Sequence, residues 1–341
     1  MELYKTIIQG KLLYSNPNSF AKALKMYELR VETYYKNDII FEADDIFDEA
    51  KLTLEIPRLV RQLYDKTFKN TVTLLEYCSQ FAISGFVDAW LIQDGKITIY
   101  KHLEPISDKI AVKEYIKGRD LVNEKGKEQE AIDALNKAIE KYDNHAMAYE
   151  RRAKVNFKLK KFHDAKRDYG KSIGIDDTNA TPFLGRAEVL MQEENWQDAI
   201  DDLEKAIKLS VALQAIYWHA RRLKAVCHMN VNEFEKAEFD LKLFTNRKFT
   251  EDNPNLKWLP WAYYQYAEVL MELEKYDEAL EQYIKASEED TPEIKGIPKS
   301  QIIRKRALAK KELGKNGVLS DLKQASELGD KIAKKLLKEL S

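Results

Sequence analysis

A pattern of small and large apolar residues, spaced by charge, returns several times along the later two-thirds of the chain. Ala153 and Ala165 stand twelve positions apart, as do Ala187 and Ala199, Ala225 and Ala237, and Ala267 and Ala279. In every copy a bulky aromatic lies three positions before the second alanine: Phe162, Trp196, Phe234 or Tyr276. Four positions after that alanine comes Tyr169, Leu203, Leu241 or Tyr283. The most regular copy, residues 149–177, resolves into a helix over 149–159 and a second over 162–175, with Lys160 and Lys161 at the corner. The alanines fall where the two helices cross, because a small side chain there lets the backbones approach. Self-similarity of this kind predicts an array of stacked helical pairs.

The first hundred residues carry no trace of the repeat. Residues 3–14 alternate weakly and read as a strand; Asn16, Asn18 and Ser19 supply capping chemistry for a helix over 20–35. Residues 52–56 alternate again and stop at Pro57, which suits the first turn of a helix over 58–82. Gly85 breaks that helix, and the runs 86–92 and 96–100 flank Gln93, Asp94 and Gly95, a strong hairpin signal. The order β-α-β-α-β-β predicts a small α/β domain over residues 1–107 with two helices on one face of a sheet. Its acidic cluster, Glu42, Asp44, Asp45, Asp48 and Glu49, lacks the central glycine and closing glutamate of a calcium loop. It reads as a solvated loop entering a short helix.

With the alanine frame set, the repeats resemble tetratricopeptide repeats. That family's unit of about 34 residues has an aromatic at position four, small residues at eight, twenty and twenty-seven, and large apolar ones at seventeen and twenty-four. Position four is Tyr149, Phe183 and Tyr263, and the last small position is Ser172, Ala206 and Ala286. An earlier copy covers 112–143, with Tyr115, Gly118, Leu121, Ala131, Leu135 and Ala138, and a degenerate one starts near Ile302. The resemblance implies a mostly α fold: a right-handed α-solenoid over residues 108–341, of about six repeats and a C-terminal capping helix, preceded by the α/β domain. In the cap, residues 330–341, Ile332, Leu336, Leu337 and Leu340 share one face. Residues are inserted in 209–214 and 245–258, a further loop spans 288–300, and the fourth copy has Arg221 for the aromatic and Phe244 for a small residue. The superhelix is expected to leave its regular pitch there.

Charge narrows the function. The 56 basic and 57 acidic side chains nearly cancel, which argues against recognition of nucleic acid or an anionic membrane by bulk electrostatics. Cys78 and Cys227 lie in apolar helical patterns without disulfide or metal spacing. The start lacks a signal-peptide core, and no stretch approaches the roughly 18 apolar residues of a membrane span. These features lead to the expectation of a cytoplasmic protein. His102, His145, His163, His219 and His228 show no ligand spacing, and no nucleophile motif, P-loop or dinucleotide fingerprint is present, so neither catalytic residues nor a cofactor are expected.

The family's groove positions fall on the first helix of each repeat. The resemblance carries them to Arg151, Lys154, Phe157 and Lys158; Glu188 and Met191; Arg222 and Met229; and Tyr264, Glu268 and Met271. Phe157, Met191, Met229 and Met271 would form a soft apolar ladder, and methionine surfaces adapt to varied partners. Arg151, Lys154, Lys158 and Arg222 oppose Glu268 and Glu272, a gradient that would orient a peptide. Some members of the family clamp a C-terminal carboxylate; Arg119 and Met147 replace two residues of that clamp, so it is not expected here. The expectation is a non-enzymatic scaffold that binds a protein or peptide, with the N-terminal domain supplying a second contact or a homodimer interface. The alternative is an enzyme or ligand-binding protein whose α/β domain is active and whose repeats recruit substrate.

Overall fold

A computed structural model describes residues 2–36, 38–288 and 291–340. The chain forms two compact units, residues 1–189 and 190–341.

The first unit opens with strand β1 (Leu3–Leu13), helix α1 (Pro17–Arg30), the single turn α2 (Ala43–Ile46), the two-residue strand β2 (Phe47–Asp48) and strand β3 (Thr53–Tyr64). Helix α3 (Asp65–Ser79) and the hairpin β4 (Ser84–Gln93) and β5 (Lys96–Leu103) follow. The sheet is antiparallel in the order β2-β3-β1-β4-β5. Ile8 and Leu12 of β1, Leu54 and Ile56 of β3, and Val87, Ala89 and Leu91 of β4 share one core with Phe20, Ala23 and Tyr27 of α1 and Phe68, Val72 and Leu75 of α3. Both helices thus share one core with the sheet.

Pro57 corrects one expectation. It does not start a helix; β3 runs through it to Tyr64, and the helix begins at Asp65. Ile8 pairs with Leu59 but Gly10 with Ile56, so residues 57 and 58 bulge opposite Gln9. A bulge is where a strand tolerates a proline, because no ladder hydrogen bond is required there. Gly10 has φ 144°, and a Cβ on it would stand 2.2 Å from the Phe86 carbonyl oxygen.

The other end of the sheet meets the first repeats. These are α4 (Ile110–Leu121) with α5 (Glu128–Lys141), and α6 (Ala146–Lys158) with α7 (Phe162–Ile175); α8 (Ala180–Gln192) opens the third. Ile83 packs with Ala111 and Val112, and Phe86 lies against the cluster of Tyr115, Val122, Leu135 and Met147. His145, 1% exposed, caps α6 by accepting from the Ala148 N–H at 3.3 Å, and its Nδ1 lies 3.1 Å from Ser84 Oγ at the start of β4. Asp88 of β4, nearly buried, is bonded by the Tyr100 hydroxyl at 2.9 Å and by His102 Nδ1 at 2.7 Å. Beside His102, Glu104 is held by Arg119 of α4.

In the second unit α9 (Trp196–Leu209), α10 (Ala215–Asn230), α11 (Phe234–Thr245), α12 (Leu259–Glu272), α13 (Tyr276–Ser287), α14 (Lys299–Glu312) and α15 (Val318–Glu327) continue the pairs. The crossing alanines Ala199, Ala225, Ala237, Ala267, Ala279, Ala307 and Ala325 are all 0% exposed, as Ala153, Ala165 and Ala187 are in the first unit. Phe244, in place of a small residue, is accommodated because Phe249 of the inserted segment folds against it at 5.1 Å and Trp218 at 6.4 Å. The loop at 288–300, of which residues 289 and 290 lie outside the described residues, contains the hairpin β6 (Glu293–Ile294) and β7 (Ile297–Pro298). Helix α16 (Lys331–Leu340) caps the array: Ala333, Leu336 and Leu337 cover Ile303, Ala307, Leu322 and Ala325. Ile332 and Leu340, expected on the covered face, are 56% and 40% exposed.

Candidate functional site

The site follows from which first-helix residues the packing leaves over. In the first unit α6, which packs against α4, commits Ala153 and Val155 to the core and also carries Glu150, Arg151, Lys154, Phe157 and Lys158. Glu150 is 2% exposed; its Oε2 lies 3.2 Å from Arg151 Nε, and this carboxylate holds the guanidinium pKa above its ordinary value against burial. Lys154, half-buried, is held below its ordinary value by burial, then by repulsion from Arg151. Tyr115 of α4, 2% exposed, reaches the same place, and burial pushes its phenol up to about 12. Tyr169 of α7 arrives from below: its ring lies over Gly185, where a Cβ would stand 2.2 Å from the ring. Gly185 is therefore small to admit Tyr169, whose ionisation is opposed by burial and by Glu150 and Glu188. Lys158 donates to the Val122 carbonyl at 2.6 Å, and Phe157 packs on Phe162 with ring centroids 5.6 Å apart.

The second unit closes its comparable positions with its own side chains. Arg222, expected as a groove cation, is 4% exposed, with its guanidinium 3.8 Å from the Trp258 ring and 5.4 Å from that of Trp261. Lys295, at the tip of the β6–β7 hairpin, lies 4.8 Å from the Trp258 ring. The inserted segment 245–258 thus covers Arg222 through Trp258, and the 288–300 loop brings Lys295 to that same ring. Tyr264, also 4% exposed, accepts from Gln301 Nε2 at 2.7 Å. Glu268 accepts from the Tyr283 hydroxyl and from Lys305 Nζ at 2.6 Å, so its charge is met within the repeat array. Met229 and Met271 are half-buried against the local core; Met191 and Glu188 are half-buried. The expected gradient is accordingly not presented as drawn: Arg222 is covered and Glu268 neutralised, while Glu272 stays exposed.

Elsewhere the acidic cluster is used structurally. Glu42 and Asp45 form a capping box on α2, and Asp48 pairs with Lys51 at 2.8 Å. Cys78 and Cys227 are buried free thiols. Among the described residues no helix is long and apolar enough to cross a membrane.

Sequence reasoning missed the recurring Arg–Asp fork. Arg152 Nε and Nη2 bond the two oxygens of Asp168 at 2.7 and 2.8 Å, and Arg306 bonds Asp321 likewise at 2.9 and 2.8 Å. In the fourth repeat Arg221, standing where the aromatic was expected, takes that role on Asp240 together with Lys224. The signal was an arginine one position before the crossing alanine in the second, third and last repeats, and a buried aspartate one before the large residue of the second helix.

Comparison with known proteins agrees with this geometry. A tetratricopeptide repeat profile matches residues 262–291. The chain is 32% identical over 96 residues to ETO1-like protein 2 of Arabidopsis thaliana, which covers 28% of this chain and 10% of that protein. It is 38% identical over 61 residues to human DnaJ homolog subfamily C member 7, covering 18% and 12%. The chain therefore spans about a tenth of these relatives' length. Among solved structures, YrrB, described as a TPR protein with an unusual peptide-binding site, superposes with a TM-score of 0.51 at 20% identity, covering 61% of this chain and 99% of YrrB. Pseudomonas aeruginosa PilF superposes with a TM-score of 0.52 at 15% identity, covering 69% and 99%. Residues 262–291 thus match a tetratricopeptide repeat, and the chain shares the stacked helical-pair fold of these solved structures, with an α/β sheet region ahead of its helical repeats.

Proposed function

We propose that the protein is a non-enzymatic scaffold that binds a peptide segment of a partner protein along the first helices of its repeats. The observation that carries this reading is on α6: Arg151, Lys154 and Phe157 remain partly accessible although the repeat's own packing positions are filled by other residues. A solenoid uses such surplus side chains for recognition. YrrB, similar in fold, is described as having a peptide-binding site, which fits the same use of the architecture. The N-terminal sheet, whose edge strand β5 exposes Ile97 and Tyr100, supplies a second contact or a homodimer interface. Sedimentation velocity across micromolar concentrations distinguishes the two.

The scaffold reading is tested by the double substitution Met191→Glu and Met229→Glu. The expected outcome is an unchanged circular dichroism spectrum with loss of the proteins that co-purify with the wild-type chain. Recovery of the same proteins with the variant would remove the first helices as the binding surface.

A further inference from the structure

The five-stranded sheet ends in two edges, and only one of them is blunted. An edge presents N–H and C=O groups that pair with any extended chain unless proline, a bulge or charge prevents it. On one side β2 covers Thr53 and Leu54, and beyond it β3 carries Pro57, the bulge at residues 57 and 58, and exposed Arg58 and Arg61. Proline offers no N–H and the bulge interrupts the ladder, so this edge accepts no regular strand. On the other side β5 is the last strand, eight residues long and without proline. Among the described residues no turn, loop or cap backbone bond reaches residues 96–103, and six of the eight are exposed.

Register assigns the two faces of β5. Lys101 stands opposite Ala89 and Lys96 opposite Gln93 of β4. Ala89 belongs to the core beneath the helices and Gln93 follows it at an even spacing, so both lysines lie on the helix side of the sheet. Ile97, opposite Ile92, and Tyr100, opposite Trp90, lie on the other side, where the Tyr100 ring stacks on Trp90 at 5.5 Å. Ile97 and Tyr100 are 39% and 49% exposed, and among the described residues no carboxylate pairs with Lys96 or Lys101. A second copy of β5 does not match this edge, because KITIYKHL holds two lysines and a histidine but no acid, and like charges across a strand pair are unfavourable. An extended segment with Asp or Glu on one face and apolar side chains on the other matches both faces. We propose that β5 takes such a segment from the partner protein, alternating acidic and apolar residues, as an added strand of the sheet. Backbone bonds along the edge hold it, while Lys96 and Lys101 on one face and Ile97 and Tyr100 on the other select it. Such binding presupposes the protein partner of the scaffold reading and gives the sheet a second contact with it rather than a dimer interface.

The test titrates the full chain into a fluorescein-labelled peptide alternating glutamate and valine, read by anisotropy, with hydrogen exchange locating the site. The controls are a peptide alternating lysine and valine, and the glutamate–valine peptide N-methylated at every second residue, which keeps its charge but cannot donate along one edge. The glutamate–valine peptide is expected to bind and to slow exchange in β5 but not in α6 or α8. The double variant Lys96→Glu, Lys101→Glu should weaken it about tenfold and accept the lysine–valine peptide instead. Both lysines are exposed, so the variant keeps the fold, which its melting temperature checks. N-methylation should abolish binding to the wild-type chain. Absence of binding, binding that survives N-methylation or charge reversal, or protection of α6 in place of β5 overturns the inference. So does a dimer in sedimentation velocity that slows β5 exchange without any peptide. Each of these leaves the first helices as a binding surface, which Met191→Glu with Met229→Glu tests without touching β5. Conversely, peptide bound at β5 while that variant keeps all its co-purifying proteins would remove the first helices and leave the sheet edge.

Discussion

Asp168 is 1% exposed and lies beside the Arg152 guanidinium, which grips both its oxygens. Removing the arginine strands a buried charge, and Arg152→Leu is expected to cost about 3–5 kcal/mol. The double variant Arg152→Leu, Asp168→Leu should recover most of that loss in urea unfolding, because a buried ion pair replaced whole by apolar groups is close to neutral. At Asp321 burial raises the carboxyl, but Arg306 and Lys310 more than reverse this and leave it below its ordinary 3.8. A carboxyl depressed on folding stabilises above its unfolded pKa and loses that contribution as pH falls through the folded value, so this fork weakens only in acid below 3.8. These pairs were legible in principle, since Arg152 and Arg306 each precede a crossing alanine. Attention to apolar size passes over them, because a charged residue beside the core gives no hydrophobic signal. The recognition residues show the same limit. Register names Arg222 and Glu268 as groove positions, but Trp258 and Lys305, which cover and neutralise them, come from segments 36 and 37 residues further on, beyond any local pattern.

At the scale of elements, the main strands and helices of the sheet region were legible, but the two-residue strand β2 was not predicted and the end of β3 was misplaced. Proline is read locally as a helix start or strand stop, yet Pro57 is tolerated mid-strand because the bulge opposite Gln9 frees it from the ladder. Gly10 beside that bulge is fixed by contact: Gly10→Ala would force a Cβ to within 2.2 Å of the Phe86 oxygen at φ 144°. It should destabilise the sheet by about 1–3 kcal/mol in urea unfolding monitored by Trp90 fluorescence. The sheet is joined to α6 by His145, whose pKa burial pushes down to about 3 from 6.5. The unfolded chain binds that proton first, so stability from the neutral imidazole is complete above 6.5 and falls as pH drops towards 3. The slope reaches about 1.4 kcal/mol per pH unit. Comparing melts at pH 7 and pH 5, His145→Asn should show a smaller acid loss than wild type, and an equal loss would place the sensitivity elsewhere.

For the molecule as a whole, a repeat array is expected to distribute stability over nearest-neighbour interfaces. The pattern of alanines and aromatics predicted the array because each position's size is dictated by one repeated crossing. It did not predict the contacts that the first repeats make with the sheet. A boundary after residue 107 follows the change of pattern, whereas the first compact unit runs from Met1 to Val189. Ile83 on Ala111 and Val112, Phe86 against Tyr115 and Met147, and Ser84 on His145 join what the pattern separates. Cutting the chain there would expose these apolar surfaces and leave the His145 cap without its serine. A fragment of residues 108–341 is therefore expected to exchange amide hydrogens faster in α4, α5 and α6 than the intact chain does, with α12 to α15 unchanged, since terminal repeats lose stability first when a neighbour is removed. Equal protection of α4 to α6 in fragment and intact chain would mean that the sheet contributes nothing to the repeats it touches.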